Sequence, residues 1–539
     1  MFNKKRIASI ILIISIFFSF FMVSTFADET PESDSISVKN VIIMIPDGMT
    51  VAHTTLARWY QGGENLNMDE LACGLIRTFS ANNPITDSAP AATAMATGYK
   101  SNNKYLSVMP EVVSMPGVDK IEEKNISRPI ATIFEAAKLK GLSTGIIATS
   151  NVQHATPAAF TSHTSDRNDY ETIAKQQVFN NIDVVFGGGL KYLEKENRKD
   201  KEDLLDVLKQ KGYEIITKAS ELKNIKGNKV WGLFANDAMK YDFDRKGTGE
   251  PSLAEMTSKA ISILSKNKNG FILMVEGSKI DWASHANDPV GVVSDVLAFD
   301  KAVKVALDFA KKRNDTAIII APDHNNGGMS FGTNGASDLY LNSFLKYIQK
   351  ATLTGEGVES KLNADKSNIA SVVSQYYGID NLTEDEIKAI KNAKQGSLNS
   401  VLGPIISKRS YIGWTTNEHT GEEVVLYSYH PNNYILKGVI DNTDIAWYIN
   451  EILGLNLDEV NENMYVSNTE LEEMGYSVDI DKSVPGSAKL IVKTQNHTLI
   501  ADENKNIANI DGKEMKLKFV NVISFKKFYI SKEILNYLK

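Results

Sequence analysis

The chain of 539 residues predicts an α/β fold: a three-layer sandwich with a mostly parallel central sheet, plus a small C-terminal mostly β appendage. Three observations carry this. Short β-branched runs recur, at 41–46 (VIIMIP), 144–150 (TGIIATS), 183–189 (DVVFGGG), 271–277 (FILMVEG) and 316–324 (TAIIIAPDH), and such unbroken apolar runs are expected of strands buried on both faces. Helix-like segments lie between them, and strand alternating with helix implies a parallel sheet covered on both sides. Beyond residue 464 the pattern changes to Lys- and Asn-rich alternating segments, AKLIVKT and KEMKLKFVNVISF, with an Asp511-Gly512 turn, as expected of short antiparallel strands.

The elements follow in order. Residues 1–27 have a basic start (Lys4 to Arg6), an apolar run (Ile7 to Val23) and a small-residue exit ending at Ala27. They read as a secretory signal peptide, and the run is also long enough for an uncleaved membrane anchor; the expected location is secreted or associated with the cell envelope. A Ser/Asp/Glu-rich linker occupies 28–38. The main unit is expected over 39–455. It includes a helix at 129–141, with Pro129 at its start and Gly141 at its stop, and another at 294–313. Residues 333–410 are polar and helical, with Thr383 and Glu386 forming a capping box, and read as an inserted lid, crown or oligomer contact. The sheet resumes at 422–430 and a closing helix follows at 441–454. Residues 464–539 form the appendage, whose ending KFYISKEILNYLK resembles the stalk-like domain found beside copper amine oxidases and on bacterial surface proteins.

Cys73 is the sole cysteine, so an exported chain of this size is held by its core or by bound metals, with no internal disulfide. Without Lys4, Lys5 and Arg6 the chain carries 56 basic and 66 acidic side chains. That excess of acid argues against nucleic acid as a specific partner, because a phosphate backbone needs a basic face.

Carboxylates and imidazoles fall where a parallel sheet places its ligand crevice, at the carboxyl ends of strands. VEGSKIDWASH ends a strand with Glu276 and then sets Asp281 and His285 at the i, i+4 spacing that shares one helix face. APDHNNGG ends a strand with Asp323 and His324, NEHTGEEVVLY puts His419 ahead of a strand, and MIPDGM ends the first strand with Asp47. Each alone also reads as a turn or cap signal. Mixed Asp and His ligands suit Zn²⁺, whereas carboxylates with a Thr hydroxyl suit a harder ion such as Mg²⁺. In TDSAPAATAMATG, Ser88 sits where a helix begins, so its local reading is a helix cap.

Six separated motifs, IPDGM, TDSAPAATAMATG, ATPAAFTSHTSDRN, VEGSKIDWASH, APDHNNGG and EHTGEEV, together resemble the alkaline phosphatase family, in order, over roughly residues 39–455. The resemblance implies that Asp281, His285 and His419 bind one zinc ion, that Asp47, Asp323 and His324 bind the second, and that Asp47, Thr156 and Glu276 bind a third metal, Mg²⁺. It makes Ser88 the nucleophile and Arg167 the phosphate-binding arginine, acting on small phosphate monoesters through a phosphoserine, and it raises the expectation of a homodimer. The physical demand agrees: a phosphate dianion repels an attacking anion unless positive charge is concentrated around it, and a guanidinium fork matches two phosphate oxygens. One familiar version of the family carries Asp and Lys where this chain has His154 and Trp282. His154 is therefore read as lying beside the third metal or as an alternative ligand, and Trp282 as packing near the phosphate.

Three rival readings are weighed against this one. A phosphodiesterase of the same superfamily typically uses Thr and lacks the arginine, and a sulfatase needs Pro and Arg at set positions that CGLIR and SAPAA each only half supply. A surface binding protein with structural metals would need neither Ser88 nor Arg167.

Overall fold

Each apolar run singled out above becomes a strand of one sheet. The computed structural model describes residues 36–333, 336–484 and 486–538; the signal segment and residues 28–35 of the linker lie outside the described residues. Ten strands form the sheet: β1 (Asn40–Ile45), β2 (Ala72–Arg77), β3 (Ser143–Asn151), β4 (Val184–Gly188), β5 (Glu214–Ile216), β6 (Val230–Ala235), β7 (Phe271–Glu276), β8 (Thr316–Ile320), β9 (Val424–Tyr429) and β10 (Gly438–Asp441). Their order is β10-β2-β9-β8-β1-β7-β3-β4-β6-β5. β9 runs antiparallel to both its neighbours, β2 and β8, and the other pairings are parallel. The central register aligns the strand ends that matter, Ile45 with Glu276 and Met44 with Ile320.

Alternate residues of β1 enter two separate cores. Val41, Ile43 and Ile45 join one hydrophobic cluster and Ile42 and Met44 the other, so both faces of the sheet are buried, as the unbroken apolar runs require. The first face is covered by residues of α2 (Ser88–Thr97), α3 (Ile133–Leu139), α4 (Ala155–Ala159) and α5 (Tyr170–Phe179), the second by residues of α1 (Val51–Tyr60), α6 (Leu253–Leu264), α7 (Lys279–His285) and α8 (Pro289–Arg313).

Two helix starts differ from the sequence reading. α3 begins at Ile133, because Thr132 and Glu135 make a reciprocal capping box; Pro129 pairs with Val108 in an isolated bridge. α8 begins five residues early, at Pro289, with Asp288 accepting from the Val290 amide at 3.0 Å.

The insertion is a helical lobe closed at its base by a two-stranded ribbon, Met329–Phe331 against Ile412–Trp414. Its helices, α9 (Leu341–Leu345), α10 (Gly355–Glu359), α11 (Ile369–Tyr377), α12 (Glu384–Asn392) and α13 (Asn399–Arg409), share a core that includes Leu345, Val373, Leu402 and Ile406. Thr383 and Glu386 form the capping box of α12. The closing helix α14 spans Asp444–Leu453.

The C-terminal residues form a five-stranded antiparallel meander and a three-stranded sheet. Asp511 (φ 52°) and Gly512 (φ 83°) turn one meander hairpin, the two positive φ values that a type I′ turn needs. These residues do not stand off as a stalk. Tyr465, Phe519, Val522 and Tyr529 belong to the same hydrophobic cluster as β1 and α3, and Arg128 reaches Glu470 at 3.0 Å.

Candidate active site

The carboxyl ends of β1, β3, β7 and β8 meet at one place. Asp47 follows β1, Glu276 is the last residue of β7, Asp323 and His324 follow β8, and His154 and Thr156 lie at the start of α4 after β3. His419 is brought in by a two-residue ladder in which it pairs with Asn326. Among the described residues, three groups have ligand atoms within 4.8 Å of one another: Asp281, His285 and His419; Asp47, Asp323 and His324; and Asp47, His154 and Glu276. The structure thus gathers the predicted carboxylate and imidazole ligands, with His154, read above as lying beside the third metal or as an alternative ligand, in the third group.

The imidazoles are held in one tautomer by their backs. Nδ1 of His285 lies 2.8 Å from Asn417 O, Nδ1 of His419 lies 2.9 Å from Thr86 O, and Nδ1 of His324 lies 3.3 Å from Asn325 O. A carbonyl only accepts, so each Nδ1 carries a proton and each Nε2 is the nitrogen turned to the site, the one that would bind a metal once free of its own proton. Those Nε2 atoms face carboxylates: His285 to Asp281 Oδ2 at 3.3 Å, His419 to Asp281 Oδ1 at 3.6 Å, and His324 to Asp323 Oδ2 at 3.3 Å and Asp47 Oδ1 at 3.5 Å.

The residues fit cations. Both carboxyl oxygens of Asp47 and of Glu276, together with Asp323 Oδ2 and Thr156 Oγ1, are buried without a hydrogen-bond partner among the described residues. Buried carboxylates without donors are costly, and converging ones more so. Burial first, then the neighbouring charges of Asp323, Asp281 and Glu276, push Asp47 well above the usual carboxylate range. Burial first raises Asp323 to about 6 and Glu276 to about 7. Asp281 goes the other way: burial would raise it, but the hydrogen bond and charge of His285, with His419 and His324, hold it far below that range. The donor chemistry also divides, with Asp and two imidazoles in one cluster and an oxygen-rich set of Asp47, Glu276 and Thr156 in another.

Ser88 is the first residue of α2, and its hydroxyl is not the cap. Asp87 caps the helix, its Oδ1 accepting from Ala89 N at 2.7 Å. This corrects the local reading of Ser88, whose Oγ instead lies 3.1 Å from His324 Nε2. Arg167 is oriented by the same carboxylate, with Nη1 donating to Asp87 Oδ1 at 2.9 Å and Nη2 to His154 Nε2 at 3.2 Å. Burial, then the charge of Arg167, lowers His154 to about 3, so it stays neutral and accepts from the guanidinium. Trp282 stands edge-on to His154, ring centroids 5.8 Å apart, with Lys279 Nζ 4.2 Å from its ring centroid.

Sequence reasoning missed Asp87 and Asn326. Asn326 Nδ2 donates to Asp281 Oδ1 at 2.6 Å and to Asp281 O at 3.1 Å, fixing that carboxylate from the two-residue ladder. The available signal was the Asp-Ser pair itself, since Asp is as good a cap as Ser; for Asn326 there was none.

A family model described as alkaline phosphatase matches residues 38–455, from two residues before β1 to two beyond α14. Alkaline phosphatase 4 of Bacillus subtilis is 37% identical over 442 residues, covering 78% of this chain and 90% of that protein. A cold-active alkaline phosphatase from the psychrophile Shewanella sp. superposes with a TM-score of 0.67 at 34% identity, covering 77% of this chain and 99% of that one. The alkaline phosphatase of the Antarctic bacterium TAB5, in a His-to-Glu variant with Mg bound in its M3 site, superposes with a TM-score of 0.56 at 27% identity, covering 78% and 99%. With the match spanning the whole ten-stranded sheet and every strand end that bears the site, this chain belongs to the alkaline phosphatase family of metal-dependent phosphatases.

Proposed function

We propose that the protein is exported and hydrolyses phosphate monoesters to an alcohol and inorganic phosphate through a phosphoserine on Ser88. Asp281, His285 and His419 would hold one zinc ion, Asp47, Asp323 and His324 a second, and Asp47, Glu276 and Thr156 a magnesium ion. When bound, the ions supply concentrated positive charge around the phosphoryl group and make a hydroxyl or water easier to deprotonate. The magnesium seen in the TAB5 variant supports the third assignment by likeness.

The observation that carries the reading is the placement of Ser88. Its Oγ is 3.1 Å from His324 Nε2, it is free of the capping bond that Asp87 makes, and it sits at a helix N-terminus that favours an anion. Arg167, on the other side of Asp87, offers its fork to two phosphoryl oxygens. In the first step Oγ forms a bond to phosphorus as the bond to the ester oxygen breaks; Ser88 gives up its proton and the departing oxygen gains one. In the second, the oxygen of a water bonds to phosphorus as the Oγ–phosphorus bond breaks, Ser88 regains a proton and inorganic phosphate leaves. Export rests on residues 1–27, and N-terminal sequencing of the mature chain is expected to begin at Asp28.

One preparation tests the chemistry, by metal analysis and by hydrolysis of p-nitrophenyl phosphate at alkaline pH with and without EDTA. Zinc, magnesium and EDTA-sensitive activity are expected. Ser88→Ala is expected to lose activity and keep its metals, whereas His419→Ala loses zinc; equal metal loss in both variants would count against the assignment.

A further inference from the structure

The C-terminal residues lie beyond the span that matches the family, yet they reach the segment that carries Arg167. α5 begins three residues after Arg167, capped by Asp169, whose Oδ1 accepts from Thr172 N at 3.2 Å. Two successive residues of α5, Lys175 and Gln176, are each only 1% exposed. The Gln176 amide uses both its ends: Oε1 accepts from His163 N at 2.7 Å, and Nε2 donates to His163 O at 3.0 Å and to Asn504 Oδ1 at 2.9 Å. Lys175 Nζ donates to Asp200 Oδ2 at 3.1 Å and to Ser487 Oγ at 3.0 Å. Beside them Lys505 Nζ lies 2.8 Å from Glu202 Oε1.

His163 stands four residues before Arg167, so the backbone bearing the arginine is tied to α5 at both ends. It is tied to Gln176 through His163, and it runs into the helix through Asp169. Asn504 and Ser487, both in connections between strands of the C-terminal meander, tie that face of α5 in turn. A fork that grips two oxygens at once is sensitive to displacements of about 1 Å.

We propose that Asn504 and Ser487 are positioning residues for Arg167, acting through Gln176 and Lys175, so that the C-terminal unit sets the enzyme's affinity for the phosphoryl group. This rests on Arg167 being the phosphate-binding arginine. The function of the unit would then be catalytic support, whatever else it contacts.

The test uses full-length, metal-loaded enzyme, with p-nitrophenyl phosphate as substrate and inorganic phosphate as inhibitor, in a cycle of wild type, Asn504→Ala, Arg167→Ala and the double variant. Asn504→Ala is expected to raise KM and the phosphate inhibition constant about fivefold, the scale of one lost buried hydrogen bond, with kcat changed less than about twofold. In the Arg167→Ala background it is expected to add nothing. Asn504→Asp keeps the oxygen that accepts from Gln176, and Asn504 Nδ2 has no partner to lose among the described residues, so this variant should recover most of the affinity. Leu499→Ala, which hollows the C-terminal unit's own core, should lower Tm and leave the constant unmoved. An unchanged constant in Asn504→Ala, or an equal rise in both backgrounds, overturns the proposal. If Arg167→Ala itself leaves phosphate inhibition unchanged, the arginine's role fails first and the proposal falls with it. Should Asn504→Ala not fold, Ser487→Ala in the same cycle decides, with the same two outcomes.

Discussion

Asp87 Oδ1 stands 2.9 Å from Arg167 Nη1 and accepts the amide of Ala89 at 2.7 Å, so one carboxylate opens the helix of Ser88 and aims the arginine. Its other oxygen accepts from Lys104 N at 2.6 Å. Asp87→Ala is expected to cost about 1 kcal/mol of stability through the lost cap and to weaken phosphate inhibition roughly tenfold, on the scale of a charge-assisted hydrogen bond. Thermal melts and phosphate inhibition of the same variant check both; a lowered Tm with unchanged inhibition would make Asp87 a cap only.

Gly48 holds φ at +67°, and a Cβ there would come 2.8 Å from Asp281 Oδ1. The glycine is needed for close approach of the Asp47 loop to the carboxylate of Asp281, a proposed zinc ligand. Gly48→Ala is expected to destabilise the protein by roughly 1–3 kcal/mol and to loosen the first zinc. Zinc retained after dialysis against a weak chelator measures this, and full retention would contradict it.

The buried pair of His163 and Glu135, with Nε2 and Oε1 3.0 Å apart, gives stability a pH dependence outside the candidate metal groups. Burial alone pushes His163 down, but the charge and hydrogen bond of Glu135, with Ser107 O, raise it above its ordinary 6.5. Burial pushes Glu135 up, but His163's charge and hydrogen bond and the Thr132 amide bring it below 4.5. The raised histidine contributes stability that is complete below pH 6.5 and is lost as pH rises through its folded-state pKa. The lowered glutamate contributes stability that is present above pH 4.5 and is lost as pH falls through its own. The pair should therefore stabilise most between about pH 4.5 and 6.5, and the Tm difference between wild type and His163→Gln should shrink as pH rises above that window. A difference that grows with pH would reverse the assignment.

The orphaned oxygens of Asp47 and Glu276 make metal removal a stability experiment. EDTA is expected to lower Tm by roughly 5–10 °C, reversed by zinc and magnesium, because ions bound only by the folded state stabilise it in proportion to their affinity. An unchanged Tm would contradict the fit of these clusters to cations.

The gathering of these carboxylates and imidazoles at one place was legible because strand ends and helix spacing are local properties. Asp47 and Glu276 terminate apolar runs, and Asp281 and His285 share a helix face by their spacing alone. What was not legible depends on distant partners. β2 was missed because only Ile76 of its six residues is buried, so it lacks the apolar run of a central strand. α3 was started at Pro129 because a proline is a strong local signal, whereas Thr132 and Glu135 won by satisfying each other's amides. Ser88 was read as the cap because Ser and Asp are near-equal caps, and only the fold shows which of the two turns toward His324. The docking of the C-terminal sheets on α5 needs Asn504 to meet Gln176 across 328 residues, a relation that no window along the chain contains.

The central claim is that Ser88 is the nucleophile, and the direct measurement is the mass of enzyme quenched in acid during turnover of p-nitrophenyl phosphate. The account predicts a population heavier by one phosphoryl group, mapped by peptide fragmentation to Ser88 and absent in a Ser88→Ala protein that retains its zinc. A phosphoryl group found on another residue, or undiminished hydrolysis by Ser88→Ala, would contradict it.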